Sequence, residues 1–300
     1  MESRISGHTK LYCLIGSPVG HSGSPAMYNY SFARTGVDAA YLAFDIPLEQ
    51  TAEGVAALKT LGVGGFNVTM PDKTAVAGIV DELSPAAKLI GACNTVTVGE
   101  DGRLTGHNTD GIGFVRNLRE HGVEVRGQKL VVLGAGGAAT AICVQAALDG
   151  AAEIAIFNRK DEFYPNGEHT VEKLSQAVPA CKASIAPLED RAALEQAVAG
   201  CGILVNATKV GMKPLDGETL IDPAWFRPDL VVADTVYNPR ETRMIREAQA
   251  AGCKVAIGGI GMLLWQGVAA FQLFTGKEMP AQEVLEKFFS WKPREKRSTA

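Results

Sequence analysis

The run KLVVLGAGGAAT, residues 129–140, decides the fold. A short apolar stretch at 130–133 stops at Gly134-Ala135-Gly136-Gly137-Ala138-Ala139, and an alanine-rich helical pattern follows. That order is strand, tight turn, helix start, with the spacing GxGxxA. A dinucleotide's pyrophosphate needs it: Gly134 permits the turn, Gly136 lets the backbone approach the phosphates, and small Ala139 lets helix pack on strand. The helix N-terminus supplies unpaired N–H donors. Glycine-rich turns also occur in α/β proteins that bind nothing, so the loop alone does not establish a cofactor. It opens a nucleotide unit in mid-chain, and something else must fill the first third.

Three hundred residues, 46% of them hydrophobic, are enough for two α/β domains with substantial cores. With 29 basic against 33 acidic residues and a net charge of −4, no polyanion-binding field is evident, and the basic run at 292–297 (KPREKR) reads as a solvated end. Cys13, Cys93, Cys143, Cys181, Cys201 and Cys253 are scattered, without CxxC or Cys/His spacing. No metal site is expected from them, and they read as small buried residues of a reducing compartment. The start of the chain lacks the pattern of a secretory leader, and the most apolar helical stretch, 261–274, is too short to cross a bilayer and contains Gln266. The expectation is a cytoplasmic protein with a small-molecule substrate, no nucleic-acid or membrane partner, and a homodimer as the commonest assembly.

Residues 11–15 read as a buried strand running into GSPVGHSGSPAMYNYSF, where Ser22 and Ser24 precede Pro25 at a helix start. Those hydroxyls suit either N-capping or a polyhydroxylated ligand, since ligands of open α/β sheets gather at strand carboxyl ends. His21 reads as a hydrogen-bonding neighbour. Strands at 41–44 and 65–69 flank an amphipathic helix at 48–61; the second brings Asn67 and Thr69 to one side and is followed by Met70-Pro71-Asp72-Lys73. A lysine at a helix N-terminus opposes the helix dipole, so Lys73 is placed for something other than helix stability. A helix at 75–83, a Ser84-Pro85 start and a short strand lead to Gly91-Ala92-Cys93-Asn94, where Asn94 is a turn residue or a ligand amide. After a hairpin turn at Glu100-Asp101-Gly102, Asp110 opens another helix, as its cap or as a functional carboxylate. Asn67, Lys73, Asn94 and Asp110 lie at successive element ends that converge in one small domain. A lysine with a carboxylate suffices as the acid/base pair for alcohol oxidation, with no metal required.

The stretches HSGSP (21–25), NVTMPDK (67–73), GACNTV (91–96), GHNTDG (106–111) and GAGGA (134–138) together resemble the shikimate dehydrogenase family in order and spacing. FNRKDEF (157–163) is similar to its quinate/shikimate dehydrogenase branch. The resemblance implies reversible NAD(P)-dependent oxidation of shikimate to 3-dehydroshikimate or of quinate to 3-dehydroquinate. It further implies Lys73 and Asp110 as the catalytic pair, with Ser22, Ser24, Asn67, Thr69, Asn94 and Gln266 around the substrate's hydroxyls and carboxylate. Tyr237 resembles the family tyrosine near substrate and cofactor.

In the second half, residues 138–148 are helical and 153–157 form a strand ending in Asn158-Arg159-Lys160-Asp161. An acidic residue there hydrogen-bonds the adenosine ribose hydroxyls and repels a 2′-phosphate, whereas Arg and Lys attract it. Asp161 beside Arg159 and Lys160 predicts NAD as the preferred cofactor, with NADP also usable. Residues 164–169 read as a loop and 170–200 as alanine-rich helices. Strands at 203–207 and 230–234 end at Thr208-Lys209 and near Val236-Tyr237, bordering the nicotinamide side with Gly259. The expected cofactor contacts are Gly134, Ala135, Gly136, Gly137, Ala138, Asn158, Arg159, Lys160, Asp161, Thr208, Lys209, Val236 and Gly259. The fold expected is α/β. Residues 1–112 with 259–300 form a substrate and catalytic domain, and 113–258 a Rossmann-type doubly wound dinucleotide-binding domain. C-terminal helices return to the first domain, with a hinge where the chain crosses near 111–121 and 258–274. Competing readings are another two-domain NAD(P) oxidoreductase of a small hydroxy acid, and a non-catalytic dinucleotide or metabolite sensor, against which the presence of both Lys73 and Asp110 speaks.

Overall fold

Short apolar strands alternating with helices build two six-stranded sheets in the computed structural model, which describes residues 5–289. The first sheet holds β1 (Lys10–Gly16), β2 (Ala39–Asp45), β3 (Gly65–Val68), β4 (Glu82–Leu83), β5 (Thr95–Val98) and β6 (Leu104–His107), in the order β2-β1-β3-β5-β6-β4. β1 pairs in parallel with β2 and β3, while β5 runs antiparallel to both β3 and β6. The second sheet holds β7 (Lys129–Leu133), β8 (Glu153–Asn158), β9 (Lys182–Pro187), β10 (Ile203–Asn206), β11 (Val231–Asp234) and β12 (Val255–Ile257). Its order β12-β11-β10-β7-β8-β9 is parallel throughout, so the winding reverses between β7 and β10 and leaves a crevice at their carboxyl ends. Near-continuous apolar runs such as KLVVL and ILVN suit strands covered by helices on both faces.

The helices are α1 (Ser24–Thr35), α2 (Thr51–Thr60), α3 (Lys73–Ala77), α4 (Pro85–Ile90), α5 (Asp110–Glu120), α6 (Gly137–Leu148), α7 (Tyr164–Ala177), α8 (Arg191–Gly200), α9 (Arg243–Ala250), α10 (Ile260–Thr275) and α11 (Ala281–Val284). α5 carries the chain out of the first sheet and α10 brings it back, and the two helices pack together. Glycines allow that approach: a Cβ on Gly113 would lie 2.5 Å from the Gln266 nitrogen and 2.7 Å from the Met262 carbonyl, and one on Gly261 would fall inside the Asn117 amide. Beyond the crossing, α10 completes an aromatic core with α1 and β2, in which Tyr28 stacks on Tyr41 at 4.4 Å and Phe271 meets Phe32 at 5.5 Å.

Several local expectations are corrected. The helix expected at 75–83 begins at Lys73 and ends at Ala77, because Glu82 and Leu83 pair with β6 instead, and the short strand expected before Gly91 is helix α4, which the Ser84 side chain caps by accepting from the Ala87 N–H. Residues 164–169 open α7, with Pro165 in its first turn, rather than forming a loop. Within 170–200 the chain leaves the helix at Ala177 and adds β9 to the sheet edge, where KASIAP pairs with β8. Small residues and an edge position gave that strand no apolar signature. The free thiols of Cys13, Cys93, Cys143, Cys181 and Cys201 are buried, and Cys253 is half-buried. The basic run at 292–297 lies outside the described residues.

Candidate active site

Each polar side chain at the centre of the cleft comes from the end of a strand or the first turn of the helix after it. Asn67 lies in β3 and Thr69 just past it, Lys73 opens α3, Asn94 precedes β5 and Asp110 opens α5. The Asp110 carboxylate does not cap its helix. Lys73 Nζ donates to its Oδ2 at 2.6 Å and Asn94 Nδ2 to its Oδ1 at 2.9 Å, so both oxygens are held from other elements. Asn94 is fixed in turn, its Oδ1 accepting from the Thr109 N–H (2.9 Å), the Thr109 hydroxyl (3.1 Å) and the Thr95 hydroxyl (3.0 Å). That leaves the Asn94 amide only one orientation. Asn67 donates to the Asn94 carbonyl (3.1 Å) and Thr95 Oγ1 (3.0 Å), and accepts from the Tyr41 hydroxyl at 2.7 Å. Both amide hydrogens of Asn67 are therefore committed within the protein. Buried Asp72, just before the lysine, accepts from the Thr51 hydroxyl at 3.0 Å and ties the start of α3 to α2.

Lys73 and Asp110, with side chains 29% and 19% exposed, are open to two adjoining cavities. One, of about 560 Å³, is lined by Ser22, Ser24, Asn67, Thr69, Asn94, Tyr237 and Gln266, which brings together every expected substrate contact. His21 also lines it. The Ser22 hydroxyl accepts from the Ser24 N–H at 3.2 Å, and neither serine side chain caps α1. The other cavity, of about 550 Å³, is lined by Gly136, Gly137, Ala138, Gly259 and Thr235, and shares Met70, Lys73, Asp110, Tyr237, Leu263 and Gln266 with the first. The lysine–carboxylate pair thus stands at the seam between them.

Gly134 adopts φ +109°, and a Cβ there would lie 2.9 Å from the Ala207 carbonyl and 3.0 Å from the Thr208 methyl, so the turn after β7 abuts the loop after β10. A Cβ on Gly136 or Gly137 would meet nothing within 4 Å, which leaves open space over the first turn of α6. Ala135 is buried, and its carbonyl accepts from the Asn166 amide. Asn158, Arg159, Lys160, Asp161, Thr208, Lys209 and Val236 line neither cavity. Asn158 ends β8 with Arg159, Lys160 and Asp161 just past it, Thr208 and Lys209 follow β10, and buried Val236 lies between the cavity-lining Thr235 and Tyr237 with its carbonyl accepting from the Gly259 N–H at 3.0 Å. Asp161 Oδ1 accepts from Asn158 Nδ2 (2.8 Å) and the Phe163 N–H (3.0 Å), while its Oδ2 has no protein partner among the described residues. Phe163, Phe288 and Phe289 line the cleft without being expected there; Phe163 closes the stretch at 157–163, whose polar residues carry its signal, and Phe288 and Phe289 lie outside any motif.

Below the cleft, Asp234 at the end of β11 accepts from Thr242 Oγ1 (2.6 Å), the Val236 N–H (2.9 Å) and Asn206 Nδ2 (2.9 Å), holding the loop that carries Tyr237. Burial pushes its carboxyl up to about 6, against the pull of those bonds. Its folded value exceeds the unfolded one, so the folded chain binds more protons between about pH 4 and 6 and this group's contribution to stability falls as pH rises through that window. Asp234→Asn should remove the dependence: in denaturant titrations, the stability of the parent relative to the variant drops by about 2 kcal/mol from pH 4 to pH 7.

Residues 14–96 match the family model of the shikimate dehydrogenase substrate binding domain, and 259–287 that of the shikimate 5'-dehydrogenase C-terminal domain. A curated shikimate dehydrogenase (NADP(+)) from Listeria monocytogenes serotype 4b is 50% identical over 290 residues, covering 96% of this chain and 99% of the relative. The chain belongs to the shikimate dehydrogenase family. Among solved members, shikimate 5-dehydrogenase from Listeria monocytogenes, in complex with shikimate and NAD, has a TM-score of 0.92 at 48% identity, over 95% of this chain and 98% of that one. Quinate dehydrogenase from Corynebacterium glutamicum, in complex with NAD, has a TM-score of 0.84 at 30% identity, over 94% and 99%. The family makes this chain an NAD(P)-dependent dehydrogenase with a substrate-binding α/β unit and a Rossmann-type unit. Among the described residues, no helix is long and apolar enough to cross a membrane, and no group of three or more His, Cys, Asp or Glu could hold a metal ion.

Proposed function

We propose that the enzyme reversibly oxidises the C3 hydroxyl of shikimate to give 3-dehydroshikimate, and accepts quinate as a second substrate at the same site. The observation that carries this reading is the Lys73–Asp110 pair at 2.6 Å on the seam of the two cavities. In this reading residues 1–112 with 259–300 hold the substrate and 113–258 the cofactor.

The fit to a dinucleotide rests on the open cradle over Gly136 and Gly137 at the start of α6, where first-turn N–H groups point at a phosphate. A dinucleotide held there would supply the acceptor for the hydride that leaves the substrate carbon. The chain's own part is the proton. Asp110, held at both oxygens, fixes the lysine amine, and the pair takes the proton of the ring hydroxyl in oxidation and returns it in reduction. Ser22, Ser24, Thr69, Tyr237 and Gln266 orient the remaining hydroxyls and the carboxylate. Asn67 holds Asn94, and Asn94 aims the carboxylate. Gln266 Nε2 donates to the Leu263 carbonyl at 3.0 Å, which leaves its amide oxygen to accept from a ligand donor.

NAD is the preferred cofactor in this reading and NADP a weaker one, because Asp161 Oδ2 is available to ribose hydroxyls and repels a 2′-phosphate. The Listeria relative is named for NADP(+), whereas the solved Listeria enzyme holds NAD. Asp161→Ala should narrow the ratio of NAD to NADP affinity by about tenfold in fluorescence titrations, and an unchanged ratio removes Asp161 from cofactor choice. A cytoplasmic location is supported by free, buried thiols. A homodimer is the assembly proposed, and light scattering on the purified chain tests it. The function itself is tested by reduced-nicotinamide absorbance with shikimate, quinate and simple hydroxy acids. Shikimate should give the fastest rate, and a simple hydroxy acid that outpaces both ring acids would overturn the reading.

A further inference from the structure

The last described turn of the chain reaches the substrate cavity. Beyond α11, Leu285–Phe289 continues as a π-helical turn, and Phe288 and Phe289 line the same cavity as Lys73, Asp110 and Ser22. This segment is fastened to α1. Glu283 accepts from the Tyr30 hydroxyl at 2.7 Å and pairs with Arg34 at 2.8 Å, and the Arg34 guanidinium holds its carboxyl below the usual range. Phe288 meets the Tyr30 ring edge-on at 5.6 Å, and Lys287 Nζ lies over the same ring at 4.7 Å. The helix so gripped is the one that begins at Ser24, and both phenyl rings pack against the core that its Met27, Tyr28 and Phe32 help to build.

The substrate proposed above has hydroxyls and a carboxylate, but also a hydrocarbon part, an alkene carbon and a methylene, that no hydrogen-bonding side chain can serve. Strand ends, Tyr237 and Gln266 supply the polar groups of the cavity; Phe288 and Phe289, with Leu14 and Met27, supply an apolar remainder. We propose that Phe288 and Phe289 form the wall on which the hydrocarbon part of the ring packs, and that this wall makes the enzyme prefer the flat cyclohexene acid shikimate to quinate. Quinate replaces the double bond with a saturated carbon bearing an extra tertiary hydroxyl. Against a phenyl face that hydroxyl loses its water and gains no partner, which disfavours quinate by about tenfold or more. The inference rests on the function proposed above.

The test compares kcat and KM for shikimate and quinate in Phe289→Ala, Phe289→Leu and the parent enzyme. In Phe289→Ala the KM for shikimate should rise about tenfold with kcat changed by less than about threefold, and the quinate-to-shikimate ratio of kcat/KM should rise about tenfold. Phe289→Leu, which keeps an apolar wall, should recover most of the shikimate KM. Affinity for NAD should stay at the parent value, since neither phenyl ring lines the nucleotide cavity. An unchanged ratio, or an equal loss on both acids, overturns the proposal. If Phe289→Ala does not fold, Phe289→Leu and Phe288→Leu carry the same comparison, with a smaller rise in the ratio expected and no rise in either overturning it. A parent enzyme that oxidises neither acid counts against the function itself; one that oxidises shikimate while the variants keep its ratio counts against the wall alone.

Discussion

Lys73→Ala should lower kcat for shikimate oxidation by about 10³-fold, within the range expected for loss of a positioned acid/base group, while KM changes only a few-fold. The asymmetry follows from the geometry. Asp110 keeps its Asn94 partner at 2.9 Å when the lysine is removed, so the carboxylate stays in place. The other polar side chains of the cavity come from elements that do not depend on Lys73. Binding therefore survives and proton handling does not. Asp110→Asn should also lose turnover, because an amide orients the amine less firmly than a carboxylate at 2.6 Å. Steady-state kinetics on both variants check this, and near-normal turnover in Lys73→Ala would remove the lysine from catalysis.

Gly113→Val should destabilise the fold by at least about 3 kcal/mol, the upper end of overpacking costs. A Cβ at this position meets the Gln266 nitrogen at 2.5 Å and the Met262 carbonyl at 2.7 Å, and neither is the end of a side chain that could rotate away. Valine gains too little helix propensity over glycine, well under about 1 kcal/mol, to offset that clash. The melting temperature should fall by roughly 6 °C or more. Gly217→Ala is the control, since a Cβ there meets nothing within 4 Å, and its stability should stay within about 0.5 kcal/mol of the parent. A Gly113→Val variant as stable as this control would mean that α5 and α10 can separate without cost, and that the crossing does not hold the two units together.

The nucleotide unit was legible because GxGxxA follows a continuous apolar strand, and backbone needs at that turn leave few residue choices. The substrate side was legible because polar residues stand at strand ends in a chain that is otherwise apolar there. What local sequence leaves open is which of two local roles a residue takes. Asp110 fits a helix cap equally well, and only partners 37 and 16 residues away, Lys73 and Asn94, decide otherwise. Asn67 lines the cavity as expected, yet spends its amide hydrogens on Asn94 and Thr95, a commitment set by pairing across β3 and β5. β9 is hidden by small residues at a sheet edge, and the helical pattern at 75–83 is cut short by pairing with β6. Phe288 and Phe289 lie far beyond the last motif, and nothing near them in the chain points to a cavity that their neighbours on α1 build.

Shikimate carrying deuterium on its C3 carbinol carbon gives the most direct measurement. Incubated with the enzyme and NAD, it should yield 3-dehydroshikimate and one equivalent of reduced cofactor bearing the label, with Lys73→Ala still binding shikimate yet forming labelled cofactor about 10³-fold more slowly. Reduced cofactor without deuterium, or no reduced cofactor with either NAD or NADP, would contradict the account.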